Sequence, residues 1–188
     1  MKTVLSVRNI IFLFAFLLFC LCPFVIFAQN SSKEKLPHGY RKIQLGLSFE
    51  QAKAELKKEY QLGYRGERDV SLLPGRENRR LIETRGYDFF GHCWFQFYEE
   101  KLYIISLNFN PDKMDYYSLF KTLCDKYGEP DTVSPSKVEW QDETVILTLE
   151  KPLCLKYTDN RVYSSLIEEA QVEDSADEII KENFLKDF

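Results

Sequence analysis

Residues 92–98 (HCWFQFY) and 102–109 (LYIISLNF) are dense in aromatic and β-branched side chains, and only Glu99-Glu100-Lys101 separates them. Two such runs across a short polar break read as an antiparallel hairpin. Successive strand residues point to opposite faces. Cys93, Phe95 and Phe97 therefore share one side of the first run, and Tyr103, Ile105, Leu107 and Phe109 share one side of the second. Those faces need a hydrophobic layer packed on them, which a lone hairpin lacks.

The flanking segments supply candidates for that layer. Ser48 caps a first helix, with Gln51 placed three residues on to complete a capping box. Phe49, Ala52, Leu56 and Tyr60 recur behind it at helical spacing. A second helix begins near Asn110-Pro111-Asp112, carries Tyr116, Phe120, Leu123, Cys124 and Tyr127 on one side, and stops at Gly128 and Pro130. Further strands fall at 80–84, 137–141, 144–150, 153–157 and 161–167. Residues 61–79 lose all periodicity, hold Gly63, Gly66, Pro74 and Gly75, and read as a long loop. Short turns favour antiparallel pairing, because parallel strands need long crossovers. The expected fold is α+β, with two helices on one face of an antiparallel sheet and a helix-then-strand-meander order occurring twice. Leu56-Lys57-Lys58-Glu59-Tyr60 and Leu123-Cys124-Asp125-Lys126-Tyr127 close the two helices in similar fashion.

The N-terminus supplies an address. Lys2 and Arg8 precede an almost wholly apolar run, 10–27, which Pro23 interrupts and Ala28 closes before Gln29-Asn30-Ser31-Ser32. This is the anatomy of a secretory signal peptide cut between Ala28 and Gln29. The run is also about the roughly 20 residues a membrane span needs, so a retained anchor is the alternative. Neither Cys20 nor Cys22 has the small preceding residue that lipidation favours. The expected organisation is a signal peptide at 1–28, a lead-in at 29–43, a single α+β domain at 44–167 and an acidic tail at 168–188, where Ile179-Ile180 and Phe184-Leu185 fit one side of a short terminal helix as well as they fit disorder. Periplasmic or secreted location follows, with membrane contact only through an uncleaved N-terminal segment.

Loss of Lys2 and Arg8 moves the net charge from −4 to −6. The excess lies in the tail, whose acidic residues outnumber Lys181 and Lys186, while the body is balanced. A neutral body with an acidic end lacks the basic face that nucleic-acid binding requires. Cys93, Cys124 and Cys154 remain after cleavage. Cys93 and Cys154 sit in strand-like runs and Cys124 in a helical one, so they read first as buried small hydrophobes; an oxidising compartment permits one bridge among them, and spacing does not choose the pair.

Reactive constellations are sparse. His38 and His92 are the only histidines. His92 adjoins Cys93, but neighbouring strand residues face opposite ways, so they form no nucleophile–base pair. Ligand pairs spaced for zinc, phosphate loops and nucleophile elbows do not occur. The carboxylate pairs Glu99-Glu100 and Asp142-Glu143 sit at turns and read as solvated. Neither a cofactor nor a metal is expected. The candidate interaction surface is the 61–79 loop and its flank, with Arg65, Arg68, Arg76, Arg79 and Arg80, since long aperiodic loops are often functional and arginine is favoured at interfaces. Trp94 and Tyr98, on the sheet face away from the helices, are further candidates, open to a partner or covered by the tail.

Three segments carry a family resemblance: Gly46-Leu47-Ser48 with Glu50-Gln51-Ala52, the hairpin Phe95-Gln96-Phe97-Tyr98-Glu99-Glu100-Lys101-Leu102, and Lys126-Tyr127-Gly128-Glu129-Pro130. In this order, behind an export signal, they resemble the small envelope proteins of the SmpA/BamE and β-lactamase-inhibitor-protein-like group. The chain departs from that group in its long 61–79 loop, its extra strands after the second helix and its want of a lipidation motif. The resemblance implies helices on an antiparallel sheet and a role in binding, assembly or inhibition. The expectation is an exported, non-enzymatic module of the cell envelope whose partner is another envelope or exported protein. The alternatives are an envelope hydrolase using carboxylates and a small-ligand binder using the aromatic sheet face.

Overall fold

The computed structural model describes residues 34–72 and 78–185, which belong to one compact unit. The apolar N-terminal run, its Ala28–Gln29 junction and Arg76 lie outside the described residues.

A two-stranded ribbon, β1 (Gly39–Tyr40) and β2 (Ile43–Gln44), leads into α1 (Phe49–Leu56). Both bonds of the expected capping box are present. The Gln51 backbone N–H donates to Ser48 Oγ at 3.3 Å, and the Ser48 N–H donates to Gln51 Oε1 at 3.0 Å. These bonds satisfy N–H groups that the first helical turn leaves without partners. Ser48→Ala is expected to cost about 1 kcal/mol, read as a lower urea midpoint. The helix ends at Leu56, so Tyr60 instead sits exposed in a 3-10 turn, Tyr60–Leu62.

The segment expected as a loop carries a second 3-10 turn, Glu67–Asp69, and a short strand, β3 (Val70–Leu72). Next come β4 (Arg79–Arg85), β5 (Phe90–Tyr98) and β6 (Lys101–Phe109). The second helix, α2 (Tyr116–Tyr127), starts later than expected, because Asp115 and not Asn110 is its N-cap. The Asp115 carboxylate accepts from the Ser118 N–H at 2.9 Å and from its hydroxyl at 2.6 Å, which holds it below the usual carboxylate range. Gly128 ends the helix as expected, its N–H donating to Cys124 O at 2.8 Å. Strands β7 (Thr132–Val133), β8 (Lys137–Gln141), β9 (Val145–Glu150) and β10 (Cys154–Asp159) complete the sheet.

Eight strands form one antiparallel sheet in the order β3-β4-β5-β6-β10-β9-β8-β7. One buried cluster joins Ile82, Phe95, Phe97, Ile105, Leu107, Leu147, Leu149 and Trp140 of the sheet to Phe49, Ala52 and Leu56 of α1 and Leu123 of α2. The expected hairpin faces hold in β5 but not throughout β6. Phe97 pairs with Leu102 and Gln96 with Ile104, so Tyr103 is an extra residue in a β-bulge. A bulge reverses which residues face inward. Leu102 therefore joins the core, while the Tyr103 hydroxyl donates to Gln96 Oε1 at 3.4 Å.

The strand expected at 161–167 is a helix. The third helix, α3, runs Asn160–Leu185, across the expected boundary between domain and tail. Asp159 Oδ1 accepts from the Arg161 and Val162 N–H groups at 3.1 and 3.3 Å and starts it. No glycine or proline follows to stop it. The fold thus has three helices among the described residues, not two. None of them is long and apolar enough to cross a membrane.

Candidate functional site

The 61–79 segment is aimed by Gly63. Its φ of 67° is left-handed, and a Cβ there would lie 2.0 Å from the Arg85 carbonyl oxygen. Only glycine permits this approach. The chain is tied to the end of β4 by the Tyr87 N–H, which donates to Gln61 O at 2.8 Å. Asp69 then organises the turn. Its buried carboxylate accepts from the Arg65 backbone N–H at 2.7 Å and from the Arg65 guanidinium at 2.6 and 2.9 Å. Three charge-assisted bonds to one buried carboxylate fix both turn and side chain.

β3 pairs only with residues 80–82 of β4, leaving a cleft beside Glu83, Thr84 and Arg85. The cleft holds about 280 Å³ and is lined by Arg65 and Arg68 on one side and Glu83, Arg85 and His92 on the other. Cross-strand pairing of Arg85 with His92 brings the latter groups together. Arg85 Nε and Nη2 lie 3.4 and 3.2 Å from His92 Nε2, while His92 Nδ1 lies 3.1 Å from Glu83 Oε1. A guanidinium only donates and a carboxylate only accepts. These contacts match the imidazole tautomer that carries its hydrogen on Nδ1. Its ring stacks on Trp94 with centroids 6.0 Å apart. Arg68 is exposed and has no hydrogen bond or ion pair to another described residue.

Two other hollows have most of their charges already engaged, Glu34 and Lys35 at the edge of the second excepted. Beneath α3, a pocket of about 160 Å³ is bordered by Ile104, Ile146 and Tyr163. Its Lys137–Glu139 and Lys156–Glu150 pairs close at 2.8 and 2.7 Å. A hollow of about 290 Å³ lies near Tyr127, Asp131, Trp140 and Asp142. There Asp131 accepts from the Gln141 N–H at 2.8 Å, and Asp142 accepts from the Thr144 and Val145 N–H groups at 2.7 and 2.8 Å. Burial pushes the Asp142 carboxyl up, but these bonds outweigh it and hold the group below its ordinary value.

Of the five arginines expected to act together, the four among the described residues are separated. Arg65 and Arg68 line the cleft. Arg80 sits at the other end of β4, 3.1 Å from Glu100 and with its guanidinium 4.8 Å from the Phe49 ring centroid, tying the hairpin to α1. Arg79 lies 5.8 Å from the Tyr98 ring centroid. Trp94 and Tyr98 are half-buried rather than open. Partial burial, and then the carboxylates of Glu169 in α3 and of Glu99, raise the Tyr98 phenol above its ordinary value. Glu83, Arg85 and His92 were not among the expected interaction residues. Their shared side follows from the β4–β5 register, which the composition of the loop does not carry.

The carboxylates Glu99 and Glu100 occupy the exposed hairpin tip at φ 46° and 64°. Cys93, Cys124 and Cys154 are all free thiols. Burial pushes Cys93 up to about 12 and Cys154 up to about 11, so both are protonated at neutral pH. Thiolate, not thiol, is the nucleophile. Alkylation at pH 8 is expected to modify half-buried Cys124 first and to reach Cys93 and Cys154 only on unfolding, read by mass spectrometry of the digested protein. Among the described residues, no group of three or more His, Cys, Asp or Glu side chains is placed to hold a metal ion.

Comparison with known proteins adds a family. No curated protein matches the chain. No solved structure matches it. The family model of the TP0088 domain matches residues 38–169, a span that takes in the whole sheet, α1, α2 and every residue named in the cleft. The chain belongs to the TP0088 domain family.

Proposed function

We propose that this protein is an exported, non-enzymatic binding module of the cell envelope, and that it engages another exported protein through the cleft between the 65–71 turn and β4. The observation carrying this reading is the convergence of Arg65, Arg68 and Arg85 on one cleft, with Arg65 positioned by a buried carboxylate. Fixing in advance the turn that also carries Arg68 lowers the entropy lost on binding. The cleft groups are suited to holding a partner, since the guanidiniums stay charged and cannot shuttle protons. Export rests on Lys2, Arg8, the apolar 10–27 run and the Ala28–Gln29 junction. We read α1 with β3–β6 and α2 with β7–β10 as two copies of one unit meeting at β6 and β10, an arrangement in keeping with the resemblance to the SmpA/BamE and β-lactamase-inhibitor-protein-like group.

Crosslinking in intact cells followed by affinity purification tests this. The expected result is a reproducible exported partner recovered with the unaltered protein and lost with Arg68→Glu. Recovery of monomer alone, or of the same partner with both proteins, contradicts it.

A further inference from the structure

We propose that the group bound in the cleft is a tetrahedral oxyanion, a phosphate or sulfate ester, gripped by Arg68 and Arg85, and that its binding draws a proton onto His92. The proposal rests on the reading of the cleft as a binding site and names its ligand chemistry. The charges come first. The Arg65 guanidinium is neutralised by Asp69 at 2.6 Å. Arg68 and Arg85 remain, against Glu83 alone, so with His92 neutral the cleft carries one excess positive charge. The donors come from two directions, from the turn through Arg68, which no described residue engages, and from β4 through Arg85, which His92 engages at Nε and Nη2. A planar carboxylate is well matched by one guanidinium fork. Donors converging from separate elements suit an anion whose oxygens also diverge.

His92 sets the second half of the proposal. Neutral, it presents the Nε2 lone pair to Arg85 and so occupies that guanidinium. Protonated, Nε2 becomes a donor and can no longer accept from Arg85. The cleft then carries two excess positive charges, matching a dianion, and the Arg85 donors turn free to meet it. Histidine is the side chain that ordinarily changes charge between pH 5 and 8. The groups facing it are Glu83 and Arg85 on β4, uncharged Trp94 on its own strand, and Arg65, Arg68 and Asp69 across the cleft. From β6, the Asn108 side chain donates to the His92 carbonyl at 2.9 Å and brings no charge. Anion and proton thus favour each other's binding, a coupling that must be reciprocal.

Inorganic sulfate is the probe, because it stays a dianion across this pH range and any pH dependence belongs to the protein. The full chain is titrated with sodium sulfate at constant ionic strength, at pH 5.5 and pH 8, and followed by amide NMR. Saturable shifts at residues 65–71, 83–85 and 92 are expected, tighter at the acidic pH by about tenfold, the size of one added charge-assisted bond. Arg68→Gln should weaken sulfate binding by about tenfold on the same argument. His92→Gln should still bind sulfate, but with affinity independent of pH. Shifts scattered over all basic residues, sulfate affinity unchanged by Arg68→Gln, or equal affinity of the unaltered protein at both pH values would overturn the proposal. Partner capture abolished by Arg68→Glu without sulfate binding would retain the binding-module reading and sink this one. Sulfate binding without partner capture would do the reverse. Inorganic phosphate and short phosphorylated or sulfated peptides, added in turn, identify which ester the cleft prefers.

Discussion

Trp140→Ala is expected to lower the unfolding free energy by about 3–5 kcal/mol, the range for emptying a large aromatic site in a core. Trp140 is 1% exposed, and its ring centroid lies 6.3 Å from that of Phe120 on α2. Its indole N–H donates to the Gly128 carbonyl at 2.7 Å, so one side chain ties β8 to the end of α2. Removing it leaves a cavity and an unpaired carbonyl at a helix terminus. Trp140→Phe separates the two effects. It keeps an aromatic ring, loses the hydrogen bond, and should cost less than the alanine variant, about 1–3 kcal/mol. Urea unfolding monitored by circular dichroism reads both. A cost below about 1 kcal/mol for Trp140→Ala would mean that α2 is not held through this contact.

Gly63→Ala is expected to damage both stability and cleft. Left-handed backbone costs a residue with a Cβ about 1–2 kcal/mol. Here the added carbon also falls 2.0 Å from the Arg85 carbonyl, a backbone atom that cannot rotate away. The chain must shift, and the total cost should reach about 3 kcal/mol or more, as large as the more severe single substitutions. The shift separates the turn carrying Arg65 and Arg68 from the strand carrying Arg85. Hydrogen exchange at the Tyr87 amide, which donates to Gln61 O, is the local readout and should accelerate. Gly66→Ala is the comparison, because a Cβ at Gly66, though at φ 89°, meets nothing within 4 Å. Its cost should be confined to backbone strain. Equal effects at the two positions would contradict the steric account.

Local chemistry explains which parts of the fold were legible. Ser48, Gln51 and Gly128 act through neighbours a few residues away, so their roles stand in the sequence. The β5–β6 hairpin was legible from side-chain alternation, but Tyr103 was placed on the wrong side, because a bulge leaves no mark on an apolar run. Residues 161–167 fit a strand and a helix equally. Asp159 as cap and the lack of a later breaker decide for the helix, and both lie outside the run itself. At the cleft, Arg65 and Arg68 stood out by composition. Arg80 stood out equally and is committed to Glu100 and Phe49. Separating them requires the β3–β4 register, and adding Glu83, Arg85 and His92 requires the β4–β5 register.

Under the proposed function the cleft, not another surface, meets the partner. A photoreactive amino acid at Ser71, which lines the cleft without contributing charge, tests this in intact cells, with the same group at exposed Tyr117 on α2 as the comparison. One reproducible crosslinked species is expected from position 71, lost when Arg68→Glu is added, and none of that species from position 117. The same species from both positions, or one from 71 that survives Arg68→Glu, would contradict it.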